Sequence, residues 1–314
     1  MNADFARRTR QESFGTVAYE PSQDRFYLDS TLPMKELLPQ KLSAPLSMHW
    51  LVTLRCNARC PYCYLLPVLK KPKDREEILS REEVEEMLRQ FNANGISRLY
   101  LTGGEPTLHP FLDEIIGMSH KQNIRCVVNT NGIEIPPKIY SALVNYGSRL
   151  SISLDSPVRE DHNLARRQNS FDSIVRILEN AARDKLDTRV ISVLQQTNPS
   201  YWINFGKFLA EKGVGNWFIQ AETTKQNELE TKGLEEQLKA EFPQMRIRVL
   251  SAIFDSFFYI LPDGTAGSDF WMPAETVYGK LPQDTISEIW NRNKKNRVQD
   301  HQGILHINEA RGLQ

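Results

Sequence analysis

Residues 48–63 read MHWLVTLRCNARCPYC, an extended apolar run passing directly into cysteines at 56, 60 and 63. That spacing lets one short loop wrap three thiolates around a single metal centre, and soft thiolates select zinc or iron–sulfur clusters. Structural zinc wants four protein ligands and catalytic zinc three plus water. Three thiolates crowded into one short loop with no histidine nearby fit neither. The only other cysteine in the 314 residues is Cys126. A 4Fe-4S cluster on Cys56, Cys60 and Cys63, with one iron left open, fits the loop better.

An open iron is a binding position, and the next strand suggests its occupant. The apolar residues 98–101 run into Thr102-Gly103-Gly104-Glu105-Pro106. Two glycines at a strand's end let the backbone come close to a ligand and offer its polar groups, and the Glu105 carboxylate suits an ammonium. An amino acid chelating iron through its amine and carboxylate would match both features. Here the chain resembles the radical S-adenosylmethionine (SAM) enzymes, whose cysteine loop reads CxxxCxxC and whose next strand ends in GGEP. The resemblance implies one 4Fe-4S cluster and SAM as cofactors. It implies Cys56, Cys60 and Cys63 as metal ligands, Tyr62 beside the adenine, and Gly103, Gly104, Glu105 and Pro106 at the amino end of SAM. It also implies an external electron donor of the flavodoxin or ferredoxin type. The reduced cluster of such an enzyme cleaves SAM to a 5′-deoxyadenosyl radical that takes a hydrogen atom from substrate.

From residue 48 strands and helices alternate, which predicts parallel strands joined by right-handed crossovers. Strands are expected over 48–55, 98–102, 124–129, 149–155, 188–195 and 216–221. Helices are expected near 81–94, 110–122, 137–146, 170–185 and 199–213, the first opened by a capping box at Ser80-Arg81-Glu82-Glu83. The fold class is α/β, and the resemblance makes it a partial (β/α)6 barrel with ligand-handling residues at the strands' C-terminal ends. The third strand ends in Asn129-Thr130-Asn131-Gly132. In the fourth, period two puts Ser151, Ser153 and Asp155 on the inner face, suited to a polar cofactor such as a ribose. These segments look like the family's TNG and SLD segments, which implies that Thr130, Asn131, Ser153 and Asp155 hold SAM; a hydrogen-bonded core serine and a loop-capping Asp155 are the alternative. Residues 162–171 are similar to the family's HDxxRGxGSF segment, with Arg166 on the arginine that reaches the SAM carboxylate. Asn163, Arg167 and Asn169 stand where the family has an acid and glycines, and Arg167 is the competing candidate. His162 reads as a loop residue rather than a proton carrier. Gln220 and Glu222, near the end of the sixth strand, are candidates for touching substrate, with a solvated strand end as the alternative.

Residues 1–13 are polar and read as frayed. Residues 14–28 read as a β-hairpin around Pro21-Ser22-Gln23-Asp24, either a stabilising flap or an edge that receives an extended peptide by strand addition. Residues 225–241 read as a polar helix forming a solvated connection. Beyond it, the ILPDG turn at 260–264 and the helix opened by a capping box at Thr285 and Glu288 resemble the SPASM or Twitch extension of peptide-maturing radical SAM enzymes. The cysteines that bind auxiliary clusters there are missing. The expected domains are an N-terminal segment over 1–45, the barrel over 46–224 and a small α+β extension without a cluster over 225–314.

Lys plus Arg and Asp plus Glu are both 39, so charge gives no reason to expect a nucleic-acid or membrane-surface partner. No run of eighteen apolar residues occurs, the first residues lack the apolar core of a secretion signal, and few cysteines suit a reducing compartment; a cytoplasmic protein is expected. Three functions follow. The first is a radical SAM enzyme modifying a ribosomally synthesised precursor peptide. The second acts on a small molecule such as a nucleotide, sugar or amino acid, and the third is a non-catalytic metal-binding scaffold. Cys126, at the start of the third strand, reads as a small buried hydrophobe rather than the hydrogen donor an epimerase needs, which favours a bond-forming, cleaving or rearranging reaction.

Overall fold

The computed structural model describes residues 5–66, 77–194, 198–221, 228–250, 258–269, 271–301 and 305–308. The chain runs β1 (Arg8–Glu12), β2 (Gly15–Glu20), β3 (Arg25–Asp29), α1 (Met34–Leu37), β4 (Ser47–Thr53), α2 (Arg81–Ala93), β5 (Arg98–Gly103), α3 (Leu112–Lys121), β6 (Arg125–Thr130), α4 (Pro137–Asn145) and β7 (Arg149–Ser153). It continues with α5 (Arg159–Arg166), α6 (Phe171–Arg183), β8 (Thr188–Leu194), α7 (Pro199–Glu211), β9 (Asn216–Ala221), α8 (Glu228–Glu241), β10 (Arg246–Leu250), β11 (Phe258–Ile260), β12 (Thr265–Gly267), β13 (Val277–Lys280), α9 (Ile286–Arg292) and β14 (Leu305–Asn308). A ten-stranded sheet has the order β10-β9-β8-β7-β6-β5-β4-β11-β12-β13, with every pair from β10 to β11 parallel. A second sheet has the order β1-β2-β3-β14.

The six expected strands are present as β4 to β9, and β10 continues the parallel set beyond them. Helix α8, expected to be a solvated connection, buries Leu234 and Leu238 against Phe242, Met245 and Ile247. Those leucines lie four apart and so share one face, which the polar average of the segment concealed. Both capping boxes form, Ser80 with Glu83 on α2 and Thr285 with Glu288 on α9. No helix among the described residues is long and apolar enough to cross a membrane.

Alternation along the parallel strands sorts two environments. Leu99, Leu101, Val128 and Leu150 face one helix-side core, and Ile152, Val190, Trp217 and Ile219 another. The intervening residues face the barrel interior, where His49 stacks on Tyr100 at 4.1 Å between centroids and Arg189 lies 4.0 Å over the Phe218 ring. The interior's lowest level is arginine: Arg98, Arg125 and Arg149 begin their strands, Arg189 is second in its own, and all four are buried.

The N-terminal hairpin closes this base. Its turn, Pro21 to Asp24, offers carbonyls to Arg125 (2.9 Å, from Pro21) and Arg246 (2.8 Å, from Gln23). The buried Asp24 carboxylate accepts from Arg98 (2.8 Å), Arg149, Arg189 (3.3 Å) and the Tyr19 hydroxyl (2.9 Å). Burial alone would raise its pKa, yet the three guanidiniums hold it well below the carboxylate range. The hairpin is thus a plug, and residues 8–12 of the segment expected to be frayed are part of it. Residues 8–12 pair with β2, and Arg10 donates to the carbonyls of Ala44 (2.8 Å) and Pro45 (3.1 Å). Polar side chains that suggested solvent instead satisfy loop carbonyls under the barrel.

Removing one partner of a buried ion pair costs about 3–5 kcal/mol. Asp24→Ala should therefore lose stability of that order in urea denaturation at pH 7; a loss under about 1 kcal/mol would contradict the plug. Because the folded carboxyl lies below the unfolded value of about 3.9, this contribution is complete above about pH 5 and disappears as the pH falls through the folded value.

Candidate functional site

The end of β4 and the end of β5 are joined backbone to backbone. The Gly104 amide donates to the Thr53 carbonyl at 2.8 Å, and the Glu105 amide to the Arg55 carbonyl at 2.7 Å, one residue before Cys56. A Cβ on Gly103, whose φ is +130°, would lie 2.1 Å from the Thr53 oxygen, and one on Gly104 2.2 Å from the Arg55 oxygen. The close approach that the glycines permit is therefore to the cysteine loop's own backbone, and both of these amides are used there. Pro106 opens a short 3-10 turn over Pro106–Leu108 that Glu105 caps.

Glu105 is 1 % exposed. One carboxylate oxygen accepts from the Thr107 hydroxyl (2.8 Å), the Thr107 amide (3.1 Å) and the Thr130 hydroxyl (2.7 Å); among the described residues the other accepts only from the Asn131 amide (2.8 Å). The Asn131 side chain donates to Asn57 at 2.8 Å, tying the end of β6 to the cysteine loop. Burial pushes the Glu105 pKa up, and the four hydrogen bonds work against it. No cation among the described residues pairs with this carboxylate.

A second group surrounds Asp155. One oxygen accepts from Arg166 Nε (2.7 Å) and from the Tyr62 hydroxyl, the other from the Val193 amide (2.9 Å). Burial would raise the Asp155 pKa, but Arg166 and the Tyr62 hydrogen bond lower it. Asp155, expected to be open to a ribose, thus has its oxygens engaged by protein donors in this arrangement. Its own amide donates to His162 Nδ1 (3.2 Å), whose Nε2 lies 3.0 Å from the Ser170 hydroxyl. Burial and nearby Arg166 lower the His162 pKa to about 4, so the ring is neutral. His162 was expected in a loop; it lies in α5, an element the sequence reading did not contain, and pins Asp155 in place.

Helix α5 also separates the two arginines. Arg166 is buried, its guanidinium carbon 5.8 Å from the Tyr62 ring centre, whereas Arg167 is exposed in the left-handed region (φ +51°) as the helix C-cap. Glycine is favoured at such a cap, which explains why the family pattern has glycine where this chain has Arg167. Ser151 is buried with a hydroxyl that has no partner among the described residues, and Ser153, half-buried, ends β7. Gln220 is half-buried and pairs in register with Val193; Glu222 lies outside the described residues. A cavity of about 300 Å³ opens beside Asp155, lined by Ser156, Asp161, Leu164, Val193 and Tyr201, residues that no local pattern singled out.

Cys56, Cys60 and Cys63 are half-buried free thiols. The Leu66 amide donates to the Cys63 carbonyl at 3.1 Å, and the Ala58 amide donates to the Cys56 sulfur at 3.4 Å. An amide aimed at sulfur suits a thiolate ligand. Among the described residues no three His, Cys, Asp or Glu side chains converge on a position for a single ion. The thiolates of a four-iron cluster each bind a different iron, so they need not converge as the ligands of one ion do. Cys126 is wholly buried in the helix-side core beside Ser119, its pKa pushed up to about 12 by burial, and it faces away from the interior.

The pattern of the radical SAM superfamily matches residues 50–209. The chain belongs to the radical SAM superfamily. Its members use a 4Fe-4S cluster and SAM, and they are enzymes. The chain is 31% identical over 177 residues to the molybdenum cofactor biosynthesis protein moc-5 of Caenorhabditis elegans, covering 54% of this chain and 28% of that protein. It is 26% identical over 193 residues to the mycofactocin maturase MftC of Mycolicibacterium smegmatis, covering 60% of this chain and 48% of MftC. The chain thus spans less than half of either relative's length. The crystal structure of SuiB from Streptococcus suis superposes with a TM-score of 0.75 at 12% identity, covering 92% of this chain and 88% of SuiB, a likeness of fold.

If the glycine clasp sets the cysteine loop, Gly104→Ala should fail to hold iron after anaerobic reconstitution. The intact chain should bind about four irons, the content of one 4Fe-4S cluster. Gly215→Ala, where a Cβ meets nothing within 4 Å, should match the intact chain. Normal iron in Gly104→Ala would contradict the clasp.

Proposed function

We infer that this radical SAM enzyme modifies a ribosomally synthesised peptide, with one 4Fe-4S cluster held by Cys56, Cys60 and Cys63. When bound, the cluster and SAM supply a 5′-deoxyadenosyl radical that takes a hydrogen atom from substrate. Glu105 would receive the ammonium of SAM's methionine. Its support is a buried carboxylate with one oxygen that accepts a single bond and no cation beside it. Arg166, oriented through Nε by Asp155, would present its remaining nitrogens to the SAM carboxylate. Gly103, Gly104, Pro106, Thr130 and Asn131 would shape the methionine end, and Ser153, Asp155 and Tyr62 the nucleoside end. Gln220 would face substrate at the same level as Val193.

The observation that carries the peptide reading is the extent of the likeness to SuiB, since it includes nearly all of this chain and not the barrel alone. Another SuiB structure is bound to its precursor peptide SuiA, and MftC is a maturase. Residues 225–314 would act as a SPASM-like cover and substrate wall without a cluster, although sheet hydrogen bonds between β9 and β10 cross residue 224. An external flavodoxin- or ferredoxin-type donor in the cytoplasm would supply electrons. With Cys126 turned from the interior, the reaction would form, cleave or rearrange a bond. Small-molecule chemistry is the second reading, favoured by the 31% identity to moc-5.

The two readings separate under anaerobic incubation with SAM, dithionite and candidate substrates. Short peptides encoded beside the gene should change mass, with 5′-deoxyadenosine formed alongside and the activity retained in Cys126→Ala. Turnover of nucleotides with every such peptide untouched would replace this reading with the second.

A further inference from the structure

Three polar side chains facing the barrel interior form a row across adjacent strands and are short of partners. Asn129 pairs in register with Ser151, and Ser151 with Arg189. Strand alternation puts all three on the inner face, with Ser151 two residues, about 7 Å, below Ser153. Asn129 Oδ1, the Ser151 hydroxyl and Arg189 Nε are buried atoms with no hydrogen-bond partner among the described residues. Leaving such groups unsatisfied is unfavourable, and buried polar groups are almost always paired with protein, water or ligand.

The row also lacks negative charge. Of the four arginines at the base, Arg149 bonds both Asp24 and Asp187, Arg98 bonds Asp24 at 2.8 Å, and Arg125 bonds Asp187. Among the described residues Arg189 has one carboxylate contact, 3.3 Å to the Asp24 oxygen that Arg149 also bonds. Burial and neighbouring Arg149 lower the Arg189 pKa to about 10, as befits a cation without its full counter-charge. The Phe218 ring covers one face of this guanidinium and leaves the edge, where the N–H groups lie, to an acceptor in its plane. Ser151 and Arg189 are 1% and 3% exposed, but the interior residues above them, Ser153, Ile191, Val193, Phe218 and Gln220, are half-buried. The row is thus the floor of a recess open toward the strands' C-terminal ends.

We propose that Ser151 and Arg189 receive a carboxylate of the substrate peptide, from an acidic side chain or from its C-terminus. The site rests on the reading of the substrate as a peptide. A carboxylate supplies the missing counter-charge and accepts from Arg189 Nε and from the Ser151 hydroxyl. With its side-chain amide turned by half a rotation, Asn129 adds an N–H donor. A neutral group of the same shape leaves the buried cation uncompensated, and that loss is what makes the site selective.

The test uses the full chain, reconstituted anaerobically and supplied with SAM and dithionite, on each peptide encoded beside the gene that it modifies. Each such peptide is remade with its Asp and Glu residues changed one at a time to Asn and Gln, and once with a C-terminal amide. One of these changes should raise KM about tenfold or more, and which one it is tells a side chain from the C-terminus. Ser151→Ala should raise KM for the unaltered peptide about fivefold, yet leave KM for the neutralised peptide within about twofold of the intact chain's. Arg189→Lys keeps a charge beside Asp24 but loses the planar fork, so it should behave as Ser151→Ala does, and it decides should Ser151→Ala fail to load its iron. The proposal is overturned if no single neutralisation moves KM, or if Ser151→Ala handles the unaltered peptide as the intact chain does. Weaker SAM binding in Ser151→Ala with an unmoved peptide KM assigns the hydroxyl to the nucleoside and overturns it as well. A chain that modifies no peptide sinks the functional reading together with this one, whereas modification indifferent to the peptide's acids sinks this one alone.

Discussion

Two backbone hydrogen bonds, from Gly104 to Thr53 and from Glu105 to Arg55, are made where no side chain fits between the strands. Everything at the top of the barrel is referred to that clasp. It puts Cys56 one residue beyond the joint and Glu105 directly on it. Glu105 in turn gathers Thr107, Thr130 and the Asn131 amide, and Asn131 returns to Asn57 in the cysteine loop. The second centre, Asp155, reaches the same loop through Tyr62. An acidic and a basic side chain, Glu105 just after β5 and Arg166 at the end of α5, are thereby tied to one short loop. This is preorganisation of the kind that spares a polar ligand the cost of ordering its site.

The base of the barrel solves a different problem. Four arginines at the strands' N-terminal ends would be expensive to bury unpaired, and Asp24 with Asp187 supplies the counter-charge, Arg149 bonding both. Closing the lower end with the hairpin turn leaves the C-terminal ends of the strands as the open face. The hairpin thus acts on the site indirectly, by fixing the strands whose upper ends carry Glu105 and Asp155.

What could be read from the sequence was local or periodic. Strand alternation separated Ile152 and Leu154 from Ser151, Ser153 and Asp155, and the capping boxes marked the starts of α2 and α9 to the residue. What escaped depends on partners distant in the chain. Asp24 finds Arg98, Arg149 and Arg189 at separations of 74, 125 and 165 residues, and nothing near Asp24 announces them. The polar segment carrying Arg8 and Arg10 looked solvated because its acceptors are carbonyls of remote loops. Helix α5 was hidden by a left-handed cap occupied by arginine instead of glycine. Trp271 reaches Tyr64 across 207 residues.

The central claim is that Arg166, and not its neighbour, grips the cofactor while Asp155 holds it in line. Calorimetric titration of SAM into cluster-loaded protein under nitrogen addresses it directly. A charge-assisted contact is worth about 1.5–3 kcal/mol, so Arg166→Ala should bind SAM at least tenfold more weakly with its iron content intact, and Arg167→Ala should bind as the unaltered chain does. Full affinity in Arg166→Ala together with a loss in Arg167→Ala would contradict the account.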